Sequence, residues 1–181
     1  MAMKKFFSAA AMGAALIAIT PLAHAFDGTI TFDGEVVADT CTVSTGTSGD
    51  FSVSLPKVPA TSLAAAGQWA GRTPFQINLV GCSGANTLAS AYFEPSGSVN
   101  PVTGRLLNDT GAGQATGVEI GLLNDTYGSI FVGGDVLTNN GSAVDVSSGS
   151  GDLQYFAQYE ATAPATVGLV NSRVQYTLIY Q

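Results

Sequence analysis

Histidine is the scarcest side chain here: His24 is the only one in 181 residues. It closes an N-terminal stretch built like an export leader. Lys4 and Lys5 precede the apolar run from Phe6 to Ile19, Pro21 breaks that run, and Ala23-His24-Ala25 has the A-x-A form of a cleavage site. Removing residues 1–25 leaves a mature chain with no histidine, so neither Ser–His nor Cys–His catalysis has its base. Basic residues are almost as few. Of six Lys and Arg only Lys57, Arg72, Arg105 and Arg173 remain, against 13 acids, a net charge of −9. That balance excludes nucleic acid, whose phosphates need clustered cations, and an anionic membrane surface. Long apolar runs are missing too. The leader's run is short for a span and no later stretch qualifies, so an exported, soluble product is expected.

Cysteine occurs twice, at Cys41 and Cys82. In an exported chain this pair points to one disulfide, whereas a metal site on two thiols without histidine would need carboxylate ligands as well. A loop of that length, once closed, contributes about 4 kcal/mol on the chain-entropy account. No cofactor motif is present: Gly111-Ala112-Gly113 lacks the strand–turn–helix setting of a phosphate loop. Acids such as Glu94, Glu119 and Asp125 are scattered, so the expectation is solvated carboxylates and no catalytic pair. Asn108-Asp109-Thr110, Asn124-Asp125-Thr126 and Asn140-Gly141-Ser142 match the glycosylation pattern but read as turns. Trp69, the single tryptophan, sits between Gly67 and Gly71 in what reads as a loop, and is the one aromatic singled out as a candidate ligand platform.

What the chain does have is short alternating segments. Phe51 to Leu55, Phe75 to Leu79, Ala89 to Glu94, Val118 to Leu122, Ile130 to Val132, Val144 to Val146, Leu153 to Ala161 and Arg173 to Tyr180 read as strands between Gly, Pro, Asn and Ser turns. Thr61 to Gly67 reads as one helical turn capped by Thr61 or Ser62. Together they predict a single all-β domain of about 156 residues, a sandwich or barrel. At its front, Ile30, Phe32, Gly34 and Val36 share one face of an extended stretch, and Thr29, Thr31, Asp33 and Glu35 the other. Gly34 leaves a gap where an apolar knob is due, which marks close approach by another backbone.

The stretch Gly28 to Val37, the pair Cys41 and Cys82, the Thr61-Ser62-Leu63 turn before Gly67, and Thr73-Pro74-Phe75-Gln76-Ile77-Asn78-Leu79 before Gly81-Cys82 resemble the type 1 fimbrial major-subunit family. So do Tyr155-Phe156-Ala157-Gln158-Tyr159, Gly168 thirteen residues before Gln181, and the penultimate Tyr180. The resemblance implies an incomplete immunoglobulin-like sandwich lacking its last strand, with residues 26–38 as an N-terminal donor-strand extension and 39–181 as the pilin domain. It implies donor positions Gly28, Ile30, Phe32, Gly34 and Val36, and groove or chaperone contacts at Gly168, Val174, Tyr176, Leu178, Tyr180 and Gln181. Implied partners are further copies and related pilins, a periplasmic chaperone and an outer-membrane usher, with a surface fimbrium as destination and a host receptor left unnamed. The expected function is structural, polymerisation by strand exchange. A glycan-binding minor or tip pilin is the alternative, and a secreted hydrolase is disfavoured by the missing histidine.

Overall fold

The computed structural model describes residues 30–38, 40–135 and 141–181. The leader, Gly28, Thr29 and Asn140 lie outside the described residues. The chain divides into two units, Met1–Glu35 and Val36–Gln181. Of the first, residues 30–35 take no helix or strand, and Ile30 and Phe32 are 79% and 89% exposed.

The second unit carries nine strands among the described residues: β1 (Thr40–Val43), β2 (Trp69–Ser83), β3 (Leu88–Phe93), β4 (Leu106–Leu107), β5 (Val118–Leu123), β6 (Ser129–Ile130), β7 (Ala143–Asp145), β8 (Ser150–Ala161) and β9 (Tyr176–Tyr180). They form two antiparallel sheets, ordered β1-β2-β8-β5-β4 with β6 beside β5, and β7-β3-β9. One core joins the sheets. Ile77 and Leu79 of β2, Ile120 and Leu122 of β5, and Leu153, Tyr155 and Ala157 of β8 meet Ala89, Ala91 and Phe93 of β3. Alternation places these side chains: in β8 the buried Leu153, Tyr155 and Ala157 interleave with Gln154 and Phe156. Tyr155 fills the centre, its ring 5.2 Å from Phe93 and 5.7 Å from Phe75. Its hydroxyl accepts from the Ala91 N–H and donates to the Ser142 carbonyl, so the buried phenol is satisfied. Cys41 and Cys82 form the expected disulfide, fastening β1 to the end of β2.

Several sequence expectations are corrected. The first strand covers only Thr40–Val43, and the described residues 30–38 take no strand. Phe51 to Leu55 alternates in burial as expected but joins no ladder. The helical turn is a 3₁₀ turn over Ala60–Leu63 whose N-cap is Pro59, with no side-chain cap bond; neither Thr61 nor Ser62 caps it. Trp69 opens β2 and is not in a loop. The last strand starts at Tyr176, three residues late, because residues 170–175 find only irregular partners on one side.

Candidate functional site

The two segments that alternate without pairing face one another across an open cleft of about 630 Å³. Its floor is apolar, built from Phe75, Ile77, Phe93, Ile120, Leu122 and Ala157 of both sheets. One wall is residues 49–55 and the other is residues 170–174 with Tyr176.

Where the wall backbones send their hydrogen bonds defines the site. On the second wall the Asn171 carbonyl accepts from the Asp109 N–H (2.9 Å), the Arg173 carbonyl from Ser98 Oγ (2.7 Å) and the Gln175 carbonyl from the Glu94 N–H (2.9 Å). In extended chain, successive residues turn their N–H and C=O to opposite sides. Val170, Ser172 and Val174 therefore turn theirs the other way, and among the described residues they have no backbone partner. Residues 51–55 likewise make no backbone hydrogen bond among the described residues. Two bare strand edges thus flank an apolar trough, an arrangement that pairing with a further strand relieves.

Side chains repeat the pattern. Val170, Ser172, Val174 and Tyr176 are half-buried, while Asn171, Arg173 and Gln175 are exposed. Tyr176 closes one end of the trough. Its hydroxyl donates to the Gly49 carbonyl at 2.9 Å and its ring lies edge-on to Phe51 at 6.5 Å. Burial and, secondarily, Asp50 push the Tyr176 phenol up from its ordinary pKa, so it stays a donor through the neutral range. Ser172 is the odd member. Its Oγ is buried without a hydrogen-bond partner, the one such side-chain atom among the described residues.

The structure sorts the residues named from sequence. Val174 and Tyr176 line the cleft. Leu178 and Tyr180 continue the same inward face beyond it, packed on the core, and the Tyr180 hydroxyl accepts from the Cys41 N–H at 2.7 Å. Gln181 exchanges backbone bonds with Leu88. Gly168 lies outside the lining, pressed against the Gln114–Ala115 backbone so closely that a Cβ has no room. Ile30 and Phe32 are largely exposed and Val36 fully so, and among the described residues nothing lies within 4 Å of a Cβ added to Gly34. Trp69 is 54% exposed. Ser172 and the wall at 49–50 were not legible from sequence, because polar residues in Gly/Ser segments give no periodic signal.

The solvated-carboxylate expectation fails for Glu119 and Glu160, which are buried. They are cross-strand partners on the outer face of β5 and β8. Arg105 bridges them, 2.5 Å from Glu160 and 3.9 Å from Glu119. Asn100 and Thr103 donate to Glu119 at 2.6 and 3.0 Å. This cluster fastens the 99–105 loop to the sheet and leaves neither Glu119 nor Glu160 free for acid–base work. No group of three or more metal-ligating side chains occurs among the described residues.

Comparison with known proteins agrees with the geometry. The fimbrial protein family matches residues 30–181. The major fimbrial subunit SMF-1 of Stenotrophomonas maltophilia (strain K279a) is 48% identical over 170 residues, 91% of this chain and 99% of that one. The F17 fimbrial protein of Escherichia coli is 43% identical, over 87% of this chain and 89% of that one. Among solved structures, a chaperone–usher pilus superposes with TM-score 0.61 at 24% identity, over 90% of this chain and 100% of that one. The P pilus rod subunit PapA gives TM-score 0.59 at 21% identity, over 78% and 99%. The two-sheet architecture with an open cleft is thus the incomplete immunoglobulin-like pilin fold. This chain belongs to the fimbrial protein family, as a type 1-like structural subunit and not an enzyme.

Proposed function

We propose that the cleft is the acceptor for residues 28–36 of another copy, and that the subunits polymerise head-to-tail by this strand exchange into a surface fibre for adhesion. The observation that carries the reading is the pair of unpaired backbone edges flanking an apolar floor. The donor supplies what the cleft lacks. Ile30, Phe32 and Val36 are largely exposed apolar side chains at alternate positions, and burying each is worth about 1.5–3 kcal/mol. Backbone bonds to both edges add about 0.5–1.5 kcal/mol apiece. Strand addition of this kind is heterologous, so it propagates and does not close into a dimer. A periplasmic chaperone covering the cleft before assembly, and an outer-membrane usher passing subunits outward, complete the route.

The proposed insertion has a register. Four alternate wall positions, Val170, Ser172, Val174 and Tyr176, match in number the four alternate donor positions, Ile30, Phe32, Gly34 and Val36. Antiparallel alignment sets the missing knob at Gly34 opposite Ser172, the one polar residue in that face. Gly34→Arg tests the reading on fibres sheared from cells. Wild type should run as a ladder of multimers on unboiled denaturing gels that collapses on boiling, and the variant as monomer. Identical monomer bands for both would assign residues 28–36 to their own domain.

A further inference from the structure

A second constructed site lies on the outer face of the sheet, away from the cleft. Its centre is Arg72, whose Cζ sits 4.3 Å from the centroid of the Trp69 ring and 4.6 Å from that of Tyr127. Both rings are more than half exposed. Two backbone irregularities produce this arrangement. The pairing of β2 with β8 slips between Ala70 and Thr73, and Gly71, at φ +69°, takes the left-handed conformation that such a bulge requires. The bulge re-aims Arg72. Tyr127 is one of two non-glycine residues with positive φ among those described, at +65°, in the tight turn closed by Asn124 and Gly128. That conformation is costly for a residue with a Cβ, and it presents the ring to Arg72 while seating it 4.7 Å from Phe156.

The guanidinium is held but not neutralised. Its Nε donates to Oε1 of the buried Gln158 at 2.9 Å, and Gln158 Nε2 donates in turn to Glu160 at 3.0 Å. Arg105 and Arg173 both pair with acids, while Arg72 has no carboxylate partner among the described residues and its two Nη groups make no hydrogen bond. An arginine oriented through Nε, with its fork unoccupied, in a chain with 13 acids, is matched to a carboxylate from outside.

We propose that Trp69, Arg72 and Tyr127 form a binding site for a terminal carboxylated sugar. The ring faces toward Arg72 are taken by the cation, so the carboxylate takes the Nη fork and the C–H face of the pyranose packs on the exposed part of the Trp69 indole, with Tyr127 holding the guanidinium in place. Charge selects among acidic ligands. One cation on a chain with 13 acids and six Lys and Arg suits one carboxylate, whereas a polyanion, or an acidic segment of another equally acidic copy, meets repulsion from the rest of the chain.

The test uses assembled wild-type fibres, immobilised, with sialyllactose and lactose bearing a terminal glucuronate as probes. Their methyl esters and plain lactose serve as neutral controls. The expected result is retention of at least one acid form with esters and lactose at least tenfold weaker. Arg72→Gln and Trp69→Ala should each lose at least tenfold, with fibre length and ladder heat stability unchanged. Equal retention of acid and ester, no retention of either acid, or full binding by both variants overturns the assignment. Shortened fibres in Arg72→Gln overturn it differently, by making the site a contact between subunits. Because residues 28–36 are untouched, these outcomes are independent of the strand-exchange test.

Discussion

Phe32→Ala is the sharpest probe of strand exchange, because the same side chain has opposite consequences in the two competing accounts. Phe32 is 89% exposed in the free subunit, so truncating it there removes almost no buried contact and leaves subunit stability within about 0.5 kcal/mol. In the acceptor cleft it would pack on a floor that already carries Phe75 and Phe93. Full burial of a phenylalanine is worth about 2–3 kcal/mol, before any penalty for the cavity left behind. Interface truncations act mainly on dissociation, so that energy corresponds to subunit separation about 30- to 150-fold faster. Unboiled ladders incubated over a temperature series report that rate directly. Thr31→Ala is the control, since its side chain lies on the opposite face of the extended stretch. Equal loss of the ladder in both variants, or in neither, would refute insertion with Phe32 inward.

Ser172→Ala removes the unpartnered buried hydroxyl, so the empty subunit should gain up to about 1 kcal/mol in urea unfolding, with no loss. If the donor backbone at Gly34 satisfies that hydroxyl, the same change should make assembled fibres dissociate faster, opposite in sign. Arg105→Met leaves Glu119 and Glu160 buried together without their cation and should cost about 3 kcal/mol, read as a shift in the urea midpoint at pH 7. Burial pushes the Tyr155 phenol up to about 12 from 10.0. A neutral form favoured by folding stabilises fully below the unfolded pKa and is lost as pH rises through the folded one. Tyr155 should therefore make stability fall by up to about 1.4 kcal/mol per pH unit between pH 10 and 12, and Tyr155→Phe should remove that share of the slope, leaving the part from Tyr159 and Tyr176, which burial also raises.

The parts of this fold legible in the sequence were those whose partners lie inside the same chain. Leu153 to Ala161 and Val118 to Leu122 alternate because each has a neighbour to pair with and a core to face, and the structure pairs the two strands over six positions, one residue beyond Leu122. The cysteine pair read equally directly, through the redox setting that an export leader implies. Long-range polar partnerships did not read. Glu119 and Glu160 are 41 positions apart, and nothing local to either tells that Arg105 sits between them. The Trp69 site was legible only as an aromatic beside two glycines. The bulge at Gly71 and the left-handed Tyr127 that complete it are properties of pairing register, which sequence periodicity does not carry.

The remaining discrepancy is the most informative. Residues 30–36, 51–55 and 170–175 all carry strand-like alternation, yet none is in a ladder among the described residues. Alternation records selection for a half-buried, hydrogen-bonded environment, not membership of a sheet in the isolated chain. Two of the three segments border the same apolar cleft with their backbone edges unpaired; the third has exposed apolar residues at the matching period. A single strand laid between the walls would satisfy all three patterns at once. If that strand came from the same chain, the product would be closed and monomeric; if it came from another, each subunit would offer one strand and accept one, and the chain of subunits would have no internal end. Gly34 bears on that insertion. Among the described residues nothing lies within 4 Å of a Cβ built at Gly34, so the free subunit tolerates a side chain there, and a glycine at that position matches the close backbone approach that the proposed exchange requires.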